Sequence, residues 1–293
     1  MTNQSRLFQD YWHAIKLSLD GYASLDSNPK EIYLMKRIIV LSLFIIVAAV
    51  VALAQDSQQK PGSKAANPQQ TVAATLTVEQ ILERYVEALG GRAAIEKLNS
   101  REARGSFEIA GTPLKGTVEA YNKAPNKMAN FTRVPGLGDL LEGYDGTVSW
   151  TLDPTNGLRE RSGMELVQSK FDSEFYKEIK LKELYSKMEL KGTEKVGGRE
   201  AYRIIATPEK GSTEKLYFDV RTGLLLRTDA VRESPQGKTA FEVYYDDYRE
   251  VDGIKFPFVQ RWTTSDYSAT IKYDSVKHNG VIDDAKFSKP KPK

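Results

Sequence analysis

The chain has 293 residues, 40% of them hydrophobic, with 42 basic against 39 acidic side chains and a net charge of +3. That length and apolar fraction suit one large or two small packed domains, and the near-balance of charge argues against a dedicated nucleic-acid binder. The absence of cysteine excludes disulfides, thiolate metal sites, cysteine nucleophiles and cysteine-linked lipid, and His13 and His278 are too few for a histidine-rich metal site.

In chain order, the first feature is the uncharged stretch 38–54, IIVLSLFIIVAAVVALA, preceded by Lys36 and Arg37 and ending Ala52-Leu53-Ala54 before Gln55. A basic flank, an apolar run and a small-residue terminus form the pattern of an export signal. Met35 stands directly before the basic pair. Residues 35–54 are therefore expected to be the signal, and 1–34 an extension from an overlong gene model. An uncleaved anchor is the competing reading, since about 17–25 apolar residues span a bilayer. Either way the remainder is expected on the far side of the membrane, free or tethered. Residues 55–75, QDSQQKPGSKAANPQQTVAAT, carry no apolar period and read as a flexible tether. A single domain is expected over 76–290.

That domain opens with a helix. Thr77 can cap it, and Val78, Ile81, Leu82, Tyr85, Val86 and Leu89 share one face at the 3.6-residue period. Gly90-Gly91 stops it, and a short second helix is expected over 92–98. From about residue 101 the period changes to two. REARGSFEIA and LKGTVEAYNK form a hairpin across Gly111-Thr112-Pro113, KMANFTR is a third strand, and TVSWTLD lies between turn signals at Asp145-Gly146 and Pro154-Thr155-Asn156-Gly157. Val134-Pro135-Gly136-Leu137-Gly138 reads as a mobile loop, without the spacing or context of a dinucleotide loop. A helical insertion follows over 163–186, with Ser162 and Glu165 as a capping box and Leu166, Val167, Phe171, Phe175, Ile179 and Leu184 as its apolar side. Strands then resume to the C-terminus. About eleven in all, at spacings of roughly 8–12 residues, predict an antiparallel sheet or open barrel.

The acidic stretch YYDDYREVDGIKFPF, residues 244–258, invites a search for acid–base or metal chemistry. Strand alternation places Asp246 with Glu242, Tyr244 and Tyr248, and Asp247 with Phe241, Val243, Tyr245 and Arg249. The two carboxylates therefore diverge. Glu242 and Asp246 lie roughly 13 Å apart at about 3.3 Å per residue, beyond the roughly 5–9.5 Å of a glycosidase pair. Asp252-Gly253 reads as a two-residue hairpin turn. No Gly-x-Ser-x-Gly elbow is present, and His278 lacks an evident partner. No catalytic residue, metal site or cofactor is assigned, and the chain reads as a binding protein rather than an enzyme.

Apolar residues instead recur every second position: Phe107 and Ile109, Val118 and Ala120, Leu216 and Phe218, Leu224 and Leu226, and Phe256, Phe258 and Trp262. An open barrel with such an inner face is either packed solid or holds an apolar ligand. Phe171 and Phe175 on the inserted helix mark it as a core plug or a lid.

EKLYFDVRTGLLLRTDA (214–230), EVYYDDYREVDGIKFPF (242–258) and TIKYDSVKHNGVIDDAKF (270–287) resemble the outer-membrane lipoprotein-sorting proteins, relatives of the periplasmic lipoprotein carrier (LolA-like). TVEQILERYVEALGGRAAIEKL (77–98) and GYDGTVSWTLDP (143–154) extend the resemblance over about residues 75–288. It implies a mainly β (α+β) fold: an open antiparallel half-barrel covered by an N-terminal helix and a mid-chain helical insertion. It also implies an apolar concavity that holds the acyl chains of lipoproteins or lipids, here expected to be lined by Phe107, Ile109, Val118, Trp150, Phe171, Phe175, Leu216, Phe218, Leu224, Leu226, Phe256, Phe258 and Trp262. In that family an inward arginine holds the lid shut, a role for which Arg203 and Arg227 are the strand candidates. The partners implied are an acylated lipoprotein or lipid and transfer proteins of the inner and outer membranes. A membrane-tethered sensor or interaction module of the same fold is the alternative.

Overall fold

The computed structural model describes residues 76–291. The expected extension 1–34, signal 35–54 and tether 55–75 lie outside the described residues. Among the described residues no helix is long and apolar enough to cross a membrane.

Helix α1, Val78–Leu89, begins at Thr77. The Thr77 hydroxyl accepts from the Gln80 backbone N–H at 3.3 Å, while the Gln80 side chain accepts from the Thr77 N–H at 2.9 Å. Two donors that the first turn leaves free are thereby satisfied. Ile81, Leu82, Tyr85, Val86 and Leu89 are buried on one face, each worth about 1.5–3 kcal/mol for the larger apolar side chains. One further turn, α2 at Arg92–Ile95, leads into the sheet.

The strands are β1 Ser100–Ile109, β2 Lys115–Lys123, β3 Lys127–Val134, β4 Gly138–Tyr144, β5 Ser149–Asp153, β6 Gly157–Glu160, β7 Tyr185–Val196, β8 Arg199–Pro208, β9 Glu214–Asp219, β10 Leu225–Ser234, β11 Gly237–Val251, β12 Ile254–Thr263 and β13 Ser268–His278. Helices α3, Gly163–Asp172, and α4, Lys177–Leu184, stand between β6 and β7. The thirteen strands form one antiparallel sheet in the order β6-β5-β4-β3-β2-β1-β13-β12-β11-β10-β9-β8-β7. Every pairing joins sequence neighbours except β1 with β13, where Arg101 faces His278 and Ile109 faces Ala269. β6 and β7 are the two free edges. The chain must pass from one to the other, and it does so through α3 and α4. That topology fixes the helices across the concave face of an open half-barrel.

Packing divides between the two faces. α1, Phe175 and Leu181 bury Ile204, Ala206, Leu216 and Phe218 on the helix side. On the reverse side the C-terminal segment crosses β2–β5, where Ile282 and Phe287 pack with Tyr121, Phe131 and Trp150. The indole N–H of Trp150 donates to the Phe287 carbonyl at 2.7 Å. Trp150 can lie flat there because its neighbour is Gly143, where a Cβ would sit 2.6 Å from the indole ring.

The count of thirteen corrects the expected eleven. The missed strands are β4, GDLLEGY, and β6, GLRE. Adjacent Leu140 and Leu141 hide the alternation of the first, and the second is too short to show one. The segment 134–138 closes a tight β3–β4 turn, with the Leu137 N–H donating to the Val134 carbonyl at 3.0 Å. The single inserted helix is two helices, broken where the Phe175 N–H donates to the Pro125 carbonyl at 3.0 Å. Ser162 makes no side-chain cap. Glu165 binds Arg159 instead, accepting from both guanidinium nitrogens at 2.7 and 2.8 Å.

Candidate functional site

Between the concave face and the helices lies a cleft of about 600 Å³. Tyr85 and Leu89 of α1, Leu181 of α4, and Leu216, Phe218 and Ile254 of the sheet form an apolar stretch of its wall. Phe241, Val243, Phe256 and Trp262 carry it along β11 and β12. Phe241 and Trp262 stack with ring centroids 5.2 Å apart, and Trp262 remains 37% exposed, so this pair stands at an open rim. Polar side chains interrupt the rest of the wall. A second hollow of about 260 Å³ adjoins it and shares Asn130, Glu142 and Arg161.

Three arginines line the cleft and pair with acids there. Arg232 on β10 donates to Asp172 of α3 at 3.0 Å and to Glu214 of β9 at 2.9 Å. Glu214 also accepts from the Tyr185 hydroxyl at 2.6 Å. Burial works against the Arg232 charge, yet Asp172 and Glu214 hold its pKa above the ordinary value. Burial raises the Tyr185 phenol, with Glu214 adding to the shift. Arg101 on β1 lies 3.9 Å from Glu178 of α4, and its guanidinium carbon is 5.1 Å from the Phe256 ring centroid and 5.9 Å from that of Phe175. Arg161 donates to Glu142 at 2.6 Å. Two of these arginines thus tie the sheet to the helices that cover it.

Among the residues expected to line the cavity, Leu216, Phe218, Phe256 and Trp262 lie on the cleft wall. Phe171, Phe175 and Leu224 pack within or against the core beneath α1. Val118 and Phe258 pack with Ala103 and Tyr273 in a neighbouring cluster. Phe107 and Ile109 are half-buried on β1 beyond the cleft. Trp150 lies on the reverse face under the C-terminal segment, and Leu226 packs there with Tyr217. Leu226 departs from simple alternation because the β9–β10 register shifts between Leu225 and Arg227, which turns Leu225 into the cleft instead.

Arg203 and Arg227 also face away from the cleft. They belong to a row that crosses five strands: Arg203 is opposite Tyr217, Tyr217 opposite Arg227, Arg227 opposite Tyr244, and Tyr244 opposite Arg261. The Arg227 guanidinium carbon is 4.1 Å from the Tyr217 ring centroid, and Arg203 pairs with Glu194 at 2.9 Å. Arg232 and Arg101 are inward strand arginines that meet α3 and α4 from the middle of the sheet, as Arg159 meets Glu165 of α3 from its edge. Strand parity alone would have marked them as inward, but not the acids they meet.

The acidic stretch forms no convergent site. Asp246 and Asp247 are both exposed, and Asp247 accepts from Arg249 at 3.0 Å. Asp247 has a left-handed φ of 51°, and the alternation changes phase there. Tyr245 and Tyr248, three positions apart, therefore both line the cleft, which corrects the grouping of Tyr248 with Tyr244. Burial raises both phenols, that of Tyr245 to about 12. Asp252 and Gly253, at φ 52° and 78°, make the expected turn. Among the described residues no group of three or more His, Asp or Glu side chains is arranged to hold a metal ion. His278 has partners that the sequence did not reveal: Nδ1 lies 3.3 Å from Asp252, and Nε2 accepts from Arg101 at 3.3 Å.

No protein-family model matches the chain, and no curated protein does. Solved structures do. A LolA superfamily protein from Nitrosomonas europaea superposes with a TM-score of 0.50 at 12% identity, covering 73% of this chain and 99% of that one. A DUF1329 family protein from Desulfovibrio piger gives 0.48 at 15% identity, covering 72% and 97%. A structure described as an outer membrane lipoprotein-sorting protein domain, from Vibrio parahaemolyticus, gives 0.49 at 11% identity, covering 73% and 98%. With one open antiparallel sheet, helices set in its concavity and near-complete coverage of the Nitrosomonas structure, this chain has a LolA-like fold.

Proposed function

We propose that the domain is a binding protein, not an enzyme, and that its cleft holds the acyl chains of a lipid or lipoprotein in the periplasm. The observation that carries this reading is the cleft of about 600 Å³ with an apolar wall, covered by helices that ion pairs attach to the sheet. That volume falls within the roughly 300–1,000 Å³ of ordinary ligand sites. Apolar burial at about 25 cal/mol per Å² supplies affinity without reactive groups. The resemblance of residues 75–288 to lipoprotein-sorting proteins supports the same cargo class, and the export signal expected at 35–54 supports the compartment.

The test is to purify the chain from membranes under mild conditions, extract it with organic solvent and identify the extract by mass spectrometry. A lipid or acylated peptide in stoichiometric amount is expected. Absence of such a species, together with failure of the emptied protein to bind a fluorescent fatty acid, would overturn the reading. N-terminal sequencing of the mature protein tests the signal.

A further inference from the structure

Every charged side chain on the cleft wall except one is already spoken for by a charge of opposite sign. Arg101 faces Glu178, Arg161 faces Glu142, and Arg232 and Lys177 both face Asp172. Glu214 takes the second arm of Arg232, while Glu165 and Glu233 pair with Arg159 and Lys238. Lys255 alone has no ion pair among the described residues, and it is exposed. A charged ligand group inside the cleft would have to break one of these pairs or stay uncompensated, and a buried uncompensated charge is costly.

The uncharged polar side chains are in the opposite condition. Asn122 on β2 and Gln260 on β12 line the cleft without a side-chain hydrogen bond among the described residues. Asn130 spends its amide N–H on Glu142 at 2.8 Å, which leaves its carbonyl oxygen free to accept. Gln168 of α3 accepts from the Glu233 backbone N–H at 3.4 Å, which leaves its NH₂ free to donate. The wall therefore offers unused amide donors and acceptors beside apolar surface.

From this we infer that the cleft selects amphiphiles whose polar portion is uncharged and hydrogen-bonding, an amide or a hydroxyl-rich group, over those with an ionic head. The inference rests on the lipid-binding reading and narrows its ligand class. Two sources have this chemistry: the acylated amide terminus of a lipoprotein and the sugar head of a neutral glycolipid.

The experiment uses the full chain, freed of bound lipid, with four ligands that each carry a twelve-carbon chain: N-dodecanoyl glycinamide, dodecyl maltoside, dodecyl phosphate and dodecyltrimethylammonium. Each is titrated below its micellar concentration by calorimetry. At least one neutral ligand is expected to bind about tenfold or more tightly than both ionic ones. Preference for the glycinamide points to the peptide source, and preference for the maltoside to the glycolipid. Asn130→Ala and Gln260→Ala are expected to narrow the gap several-fold in variants whose thermal unfolding shows them folded. Equal binding of all four, or tighter binding of an ionic ligand, overturns the inference and leaves the lipid-binding reading standing. If none binds, both fall together.

Discussion

Arg232 reaches acids in two layers, Glu214 within the sheet and Asp172 in α3, and so anchors one covering helix to the wall beneath it. In Arg232→Ala the Glu214 carboxylate, 6% exposed, loses its cation. A loss of about 2 kcal/mol is expected in urea unfolding, because an unpaired buried charge costs more than the pair contributed. A shift below about 0.5 kcal/mol would remove Arg232 from that role. His278 makes a pH-dependent contribution. Burial first, then Arg101, holds its imidazole below the ordinary 6.5, against a partial opposing effect of Asp252. The unfolded chain then binds more protons between the two values, so stability is full above about pH 6.5 and falls as the solution is acidified from there. His278→Gln should flatten the unfolding midpoint between about pH 7 and 5, above the range where carboxylates titrate. If wild type and variant lose stability in parallel over that range, the group responsible is another. The histidine was visible in the sequence, and its partners were not. Arg101 lies 177 positions away and Asp252 26, joined to it only through the β1–β13 pairing and the β11–β12 turn.

At the scale of elements, the strands with clean alternation are legible in the sequence, as is the Thr77 cap. Those with paired leucines or four residues are not, because periodicity needs a run to declare itself. The break in the inserted helix was hidden for a different reason. It depends on a hydrogen bond to Pro125 in the β2–β3 turn, which no local pattern encodes. The C-terminal segment shows what such non-local support is worth. The 3₁₀ turn Asp284–Lys286 delivers Phe287, fully buried, onto Trp150 and Phe131, while Lys123 and Lys127 hold Asp284 at 2.8 Å. Phe287→Ala leaves the carbonyl that Trp150 uses and removes the ring alone. The expected cost is about 3–5 kcal/mol, read from chemical denaturation, and a cost below about 1 kcal/mol would mean that the segment merely rests on the sheet.

For the molecule as a whole, the cleft exists because a sheet with two free edges is bridged by a helical crossing. α3 and α4 are ten and eight residues long, lengths at which helices in water are marginal without tertiary support. Their backbone amides should therefore exchange with deuterium faster than those of β8–β11, and ligand should slow them selectively. Exchange of α3 and α4 at the rate of the central strands would describe a fixed cover and count against the proposed entry of a lipid beneath it. The half-barrel could be anticipated from residue pattern and resemblance. The identity of the cleft wall could not, since the Leu225 register shift and the φ of Asp247 each exchange which side chains face inward. The pairing of β1 with β13 has one more consequence, for how the chain folds. Every other strand contact closes between neighbours in the sequence, so two separate meanders, β1–β6 and β7–β13, can assemble from short loops. Only the seam between them, with Arg101 opposite His278, must gather residues from the two ends of the domain. Loop-closure entropy is thus concentrated in one step, and the zipping of that seam is where the search for the native state is slowest.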